Sequence, residues 1–296
     1  MNSNLKKMYG KMNYGELLCT RTYQLSSNPF YKVNNFITNI EKGLNKNYIK
    51  NLIDLIIMQE NQSGYTSDYD YKNNKIYSKD SKSDVFGLLN VASNDREKEY
   101  TGIITKDGIG YGLNNGITEY YTNQINGKKF VYPIEALSAN VLDAVQRRIL
   151  ALSYFGNNSE ILEYADSETI ALMKTLDIYH DNYLELTNLY KQKQDKERFY
   201  HNEIYGKHFE NNDIELRRIN GKIYKLECIN YGVVFDIYGL LISIIRRSAL
   251  NKNEQSILIE YVNGKFNNIF KKDNFNYLNN LTKTFEEPEK RKKLIK

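Results

Sequence analysis

Tryptophan is absent from this 296-residue chain, and proline, cysteine and histidine are scarce, with three, two and three residues. The two cysteines, Cys19 and Cys228, can build neither a disulfide framework nor a C-x-x-C pair. A stapled secreted scaffold and a thiolate metal ribbon are therefore excluded, and two reduced thiols in a cytoplasmic protein are expected. The histidines are His180, His201 and His208, and no two are four residues apart, so an H-x-x-x-H zinc helix cannot form anywhere in the chain. Long apolar runs are also missing. The most apolar stretch, 232–245 (GVVFDIYGLLISII), falls short of the roughly 20 residues of a spanning helix and contains Asp236. It is expected to be a buried core helix. Residues 1–11 carry no apolar signal region, so neither secretion nor a membrane partner is expected.

What the chain does have is charge of both signs and a great deal of tyrosine. Forty-one basic against 36 acidic residues give +5, which permits an anionic partner without demanding one. Tyrosine supplies 26 aromatic residues and phenylalanine 12, so the chain is too rich in apolar surface to stay unfolded despite a mean hydropathy of −0.62. Its length is ample for a hydrophobic core without a metal staple.

Apolar residues recur at helical spacing through 35–59, which reads as one or two amphipathic helices. The polar stretch 60–74 reads as a loop and 75–78 (KIYS) as a short strand. Helices are expected at 84–93, with Ser83 or Asp84 as N-cap, and at 113–124, with a glycine-punctuated connection over 94–112 between them. Further helices are expected at 136–154, 160–176 and 177–198. Asn220-Gly221, flanked by 214–219 and 222–228, signals a β-hairpin with a two-residue turn. Two apolar helices should follow, near 233–249 and 253–271. The basic cluster Lys290, Arg291, Lys292 and Lys293 reads as a solvated terminus. No internal repeat and no coiled-coil heptad stands out.

One segment is more specific than the rest: 108–122, GIGYGLNNGITEYYT, followed by YPIE at 132–135. It resembles the second-helix motif of gluzincin-type zinc metallopeptidases, G-x-N-E-G-[FYHI]-T-[EQ]. It is more closely similar to a set of small proteins of low-GC bacteria that carry H-E-L-x-H-x-A-S, then G-I-G-x-N-E-G-Y-T, then Y-P-x-E. The resemblance spans roughly 75–176, and DVFGLLNVAS at 84–93 falls where that family has its first metal-binding helix.

The resemblance implies a zincin-like core in which two imidazoles on the first helix and a carboxylate on the second bind Zn²⁺, leaving an open position for water. The glutamate after the first histidine would activate that water. In this chain Phe86 stands at the first histidine position, Gly87 at the general base, Asn90 at the second histidine and Asn115 at the third ligand. Phenylalanine and glycine offer no donor atom, and an amide oxygen is a poor zinc ligand beside imidazole or carboxylate. Neither metal nor cofactor is expected. Phe86 is expected to turn inward where a ligand once pointed, and Asn90 and Asn115 to face each other across the helix pair.

Glu119 and Glu135 survive from the family pattern. Helix packing and capping account for them most simply, and they are also candidate lining of a binding cleft. Gly110, Gly112 and Gly116 have the wrong spacing for a dinucleotide or phosphate loop. His180, between Asp177 and Asp181, reads as part of a solvated helix face, and His201 and His208 as surface or partly buried histidines rather than a metal site.

The sequence thus points to a mostly helical α+β fold. Residues 1–195 would form a pseudo-gluzincin domain with a small sheet, and 196–296 a hairpin-plus-helices extension. The function expected is that of a catalytically inactive zincin-like pseudoenzyme that binds or scaffolds a protein partner. Two alternatives are weaker. A nucleic-acid-associated or regulatory protein would use lysine, arginine and tyrosine, and a different enzyme would draw on Glu119, Glu135, Asp107 or His180.

Overall fold

Seven helices and five short strands make up the described part of the chain, a mostly helical α+β arrangement. The structure, a computed structural model, describes residues 29–41, 51, 55–59, 68–70, 72–78, 81–95, 100–105, 107–127, 131–156, 165–203 and 214–270. Cys19, His208, the first eleven residues and the basic cluster at 290–293 lie outside these.

Helix α1 (Pro29–Glu41) is amphipathic, with Val33 and Ile37 fully buried. The apolar run after residue 55 is a strand rather than the end of a second helix: β1 (Ile56–Gln59) pairs in parallel with β3 (Lys75–Ser78). A short unbroken apolar run fits a buried strand as well as a helix, and here the sheet decides. Strand β2 (Asp68–Asp70), inside the stretch expected to be a loop, pairs antiparallel on the other side of β3, giving the order β1-β3-β2. The β2–β3 turn is built by local side-chain chemistry. Asp70 Oδ1 accepts from the backbone N–H groups of Lys72 and Asn73, and Asn74 takes a left-handed φ of 51°.

Helix α2 (Ser81–Ser93) is buried at every position from 85 to 93, so it shows little amphipathicity. It packs against the sheet, α1 and the next two helices, α3 (Tyr111–Asn126) and α4 (Pro133–Gly156). Between α2 and α3 the expected connection holds a two-residue antiparallel bridge, β4 (Asn94–Asp95) with β5 (Tyr100–Thr101). Buried asparagines tie these pieces together. Asn51 donates to the carbonyls of Val91 and Asn94, and Asn74 donates to that of Asn51. Helix α4 bends at Gln146, whose φ and ψ of −143° and 41° are not helical.

The last part of the chain departs most from expectation. Helix α5 (Ser167–Glu203) is one continuous helix of 37 residues, N-capped by Asp166 through the Thr169 N–H. The expected domain boundary near 195 therefore falls inside a helix. Helix α6 (Ile214–Arg247) runs unbroken for 34 residues, straight through Asn220-Gly221, so the β-hairpin expected over 214–228 is a helix instead. The reason lies in the flanking residues. Ile223, Glu227, Asn230, Val234, Ile237, Leu241 and Ile244 are buried at spacings of four and three, the period of a helix packed along another helix. Burial of that stripe outweighs the turn preference of one dipeptide. A heptad-like pattern is thus present after all.

Helices α5 and α6 lie antiparallel, with ion pairs near both ends, Glu168–Arg247 and Lys196–Glu215. Between them Tyr190 donates to Glu227 at 2.5 Å, and Asn182 donates to the buried Asn230 at 3.4 Å. By length and composition α6 is apolar enough to cross a membrane, and 39% of its most apolar window is buried inside the protein. Helix α7 (Lys252–Phe270) opens on a capping box, in which Asn251 Oδ1 accepts from the N–H groups of Asn253 and Glu254 while Glu254 accepts from that of Asn251. It packs on α6 through Leu258, Val262 and Phe266.

Candidate functional site

The motif segment 108–122 forms the start and body of α3, which touches α2, α4 and α5. Its glycines explain how so many neighbours fit. A Cβ on Gly112 would lie 2.4 Å from the Leu176 carbonyl oxygen on α5, and one on Gly116 2.3 Å from that of Glu135 on α4. Both are backbone contacts that no side chain can relieve by moving. The pattern is a packing device, in keeping with the exclusion of a phosphate loop.

The N-terminus of α3 has no side-chain cap of its own. Gly110 holds it open with a φ of 99°, and Asp177 of α5 accepts from the N–H groups of Gly110 at 2.8 Å and Gly112 at 2.7 Å. A carboxylate there also complements the helix dipole. Burial pushes the Asp177 carboxyl above its ordinary range, and the two backbone hydrogen bonds oppose that shift.

The two helices expected to pair do so: α2 packs on α3. Phe86 is buried, with its ring 6.3 Å from that of Tyr132. Gly87 is buried within α2. Asn90 and Asn115 are both buried, yet each bonds to a partner on a different helix instead of meeting the other as expected. Asn90 Oδ1 is 3.2 Å from the Thr118 hydroxyl, which also lies 2.7 Å from the hydroxyl of Tyr154. Asn115 instead turns to α5, where its amide nitrogen is 3.2 Å from His180 Nε2.

His180 is the main correction. It is 1% exposed, not part of a solvated face. Its Nδ1 lies 3.0 Å from Glu135 Oε1 on α4. With the Asn115 amide nitrogen donating, Nε2 accepts, and the ring proton sits on Nδ1 and is donated to Glu135. The rings of Tyr132 and Tyr111 flank the imidazole at 5.1 and 5.3 Å. Glu135 is fully buried and its Oε2 has no hydrogen-bond partner. Loss of water pushes its carboxyl up from the ordinary value of 4.5, with the His180 hydrogen bond and charge pulling the other way.

Asn115, His180 and Glu135 therefore join α3, α5 and α4 through one buried chain of hydrogen bonds. Both imidazole nitrogens are engaged, so this histidine holds helices together and presents no free base to a substrate. Glu119 is also buried and accepts from Asn123 one turn along α3 at 3.1 Å. Glu119 and Glu135 are thus interior groups, with 3% and 0% exposure. Asp107 sits in an exposed turn, and His201 belongs to the last turn of α5. Among the described residues, no three His, Cys, Asp or Glu side chains are grouped so as to hold a metal ion.

The sequence reading missed His180 and Asp177. A signal was available: Thr169, Leu172, Leu176, Tyr179, Tyr183, Leu186 and Tyr190 alternate at spacings of three and four, and His180 adjoins that stripe. Comparison of the chain with protein-family models, with curated proteins and with solved structures found no match, so the likeness to gluzincins rests on the motif residues alone.

Proposed function

We propose that this chain is a catalytically inactive, zincin-like pseudoenzyme that works in the cytoplasm by binding or scaffolding a protein partner. One observation carries the reading. The four positions that would hold the metal site in the resembled family are occupied by Phe86, Gly87, Asn90 and Asn115, of which Phe86 packs beside Tyr132 and the two amides bond across helices. Phenylalanine and glycine have no donor atom, and the two amides already have hydrogen-bond partners. A scaffold that has kept the helix pair while losing the donors retains a folded surface and no hydrolytic centre. A catalytic metal is seldom the main source of folding energy in a chain of this size, so the fold survives the loss.

The test is metal content by mass spectrometry on the purified chain, together with hydrolysis of an unstructured protein substrate. The expected result is zinc far below one ion per chain and no cleavage. One zinc per chain, lost on replacing Asn115 or His180, would overturn the proposal.

A further inference from the structure

The junction of α3, α4 and α5 around His180 is short of positive charge. Helix α3 has no lysine or arginine and α4 has none before Arg147. Helix α5 has Lys174 alone before Lys191, at an exposed position. The neighbouring elements bring none either. The buried part of α2, 85–93, has no titratable side chain, and α6 has no cation between Lys225 and Arg246. Lys32 of α1 donates to Asn126, at the far end of α3.

Acidic groups, by contrast, come from every helix that meets here. On α5, Asp177 and the exposed Asp181 lie within one turn of His180. Helix α3 adds the buried Glu119, α4 adds Asp143 two turns beyond Glu135, and α6 adds the buried Glu227 and the exposed Asp236. The phenols of Tyr111 and Tyr132 are the other titratable groups against the imidazole. With Nε2 accepting from Asn115, His180 is itself neutral, so no described group at the junction balances an ionised Glu135.

We propose that Glu135 and His180 form a proton-operated latch: a proton on Glu135 keeps the three helices closed, and its loss lets them part. In the closed junction an ionised carboxylate would be sealed among acids with Oε2 unbonded. A proton on Oε2 removes that charge and leaves both hydrogen bonds of His180 as they are. When the helices part, water reaches the carboxyl, solvates its charge and takes the proton. The opening starts at the first turn of α3. There the Tyr111 ring, 49% exposed, covers His180 edge-on, and the backbone is held from α5 by Asp177 with no side-chain cap of its own. Opening releases a proton, so low pH favours the closed junction. The opening constant rises by up to about tenfold per pH unit from the ordinary 4.5 until the closed carboxyl ionises.

Hydrogen exchange read by mass spectrometry on the full chain, corrected for chemical exchange, measures this opening. Between about pH 5 and about pH 8, segments 111–122 and 176–184 should lose protection by about tenfold or more, while α7 keeps its own. Glu135→Gln leaves an acceptor for Nδ1 and does not titrate, so most of the pH dependence should vanish. Asp177→Asn, which removes the nearest other carboxyl, should retain it. A wild-type titration of the glutamate side-chain carboxyls by ¹³C NMR needs no variant to fold. One glutamate should ionise well above the ordinary 4.5 in step with the exchange.

Protection that is constant with pH in the wild-type chain overturns the proposal, as does a dependence that survives Glu135→Gln. A dependence abolished by Asp177→Asn and kept by Glu135→Gln assigns the effect to the α3 cap instead. Ordinary ionisation of every glutamate overturns it as well.

Discussion

Replacing Gly116 by alanine tests the central packing claim, because helix propensity and tertiary packing push this substitution in opposite directions. Propensity alone favours alanine inside a helix by about 1 kcal/mol. Against it stands the approach of α4, which would leave the new Cβ 2.3 Å from the Glu135 carbonyl oxygen and 2.4 Å from its carbonyl carbon. Ordinary contact requires about 1 Å more, and both atoms are backbone, so the helices must part. Overpacking of this kind costs about 1–3 kcal/mol. Moving Glu135 also disturbs its 3.0 Å bond to His180, and a hydrogen bond to a charged group is worth about 1.5–3 kcal/mol. The net expectation is a loss of about 2–5 kcal/mol in urea denaturation followed by circular dichroism. Gly232→Ala is the control: its Cβ enters open space, so it should stabilise by about 0.5–1 kcal/mol. If Gly116→Ala raises stability as Gly232→Ala does, the close approach of α3 and α4 is wrong, and the glycine pattern needs another explanation.

Phe86→Ala should cost about 3–5 kcal/mol in the same assay, as for a core phenylalanine, and an unchanged midpoint would place the ring outside the core. Asp177→Ala removes the acceptor for two N–H groups at the start of α3 and should cost about 1–2 kcal/mol, read from the same unfolding curves. Glu135→Gln should flatten the pH dependence of stability. Burial raises the folded carboxyl above its ordinary 4.5, so the stabilising contribution of this group is complete below 4.5 and is lost as pH rises through the folded value. The Gln variant, which still accepts from His180 Nδ1, should lack that decline and be at least as stable at neutral pH. A large loss of stability at neutral pH would instead show that the ionised carboxylate of Glu135 is net favourable beside His180.

How far the sequence could be read varied with how local the deciding physics was. The strand at 75–78, the helices at 84–93 and 113–124 and the kinked helix over 136–154 all appear within a few residues of expectation, since each has its own period or cap. The α7 start was also legible, because Asn251 and Glu254 make a local capping box. Strand β1 was not, since the apolar run after residue 55 suits either state and its partner, β3, lies beyond β2 in the chain. The false hairpin at Asn220-Gly221 came from weighting two residues above the stripe from Ile223 to Ile244, whose value depends on α5 lying alongside.

The candidate site shows the same division between local and non-local causes. The motif residues stood out in the sequence because three helices converge on α3 and leave little freedom there: Gly112 admits α5, Gly116 admits α4, and Asp177 closes the helix N-terminus. The polar partners could not be read because they come from far along the chain, His180 being 65 residues from Asn115 and 45 from Glu135. Its neighbours Asp177 and Asp181 suggested solvent, although Asp177 is itself turned inward onto Gly110 and Gly112. Charge next to a histidine in sequence therefore says little about its exposure when the helix carries a buried stripe on one side. This also bears on the proposed loss of catalysis. The side chain at position 115 faces α5 whatever its history, so the Asn115 amide joins α3 to α5 through His180. On that reasoning the fold places its strongest demand at position 115 on hydrogen bonding, and Asn115→Leu should destabilise the chain more than Asn115→Asp does at a pH where the aspartate is protonated.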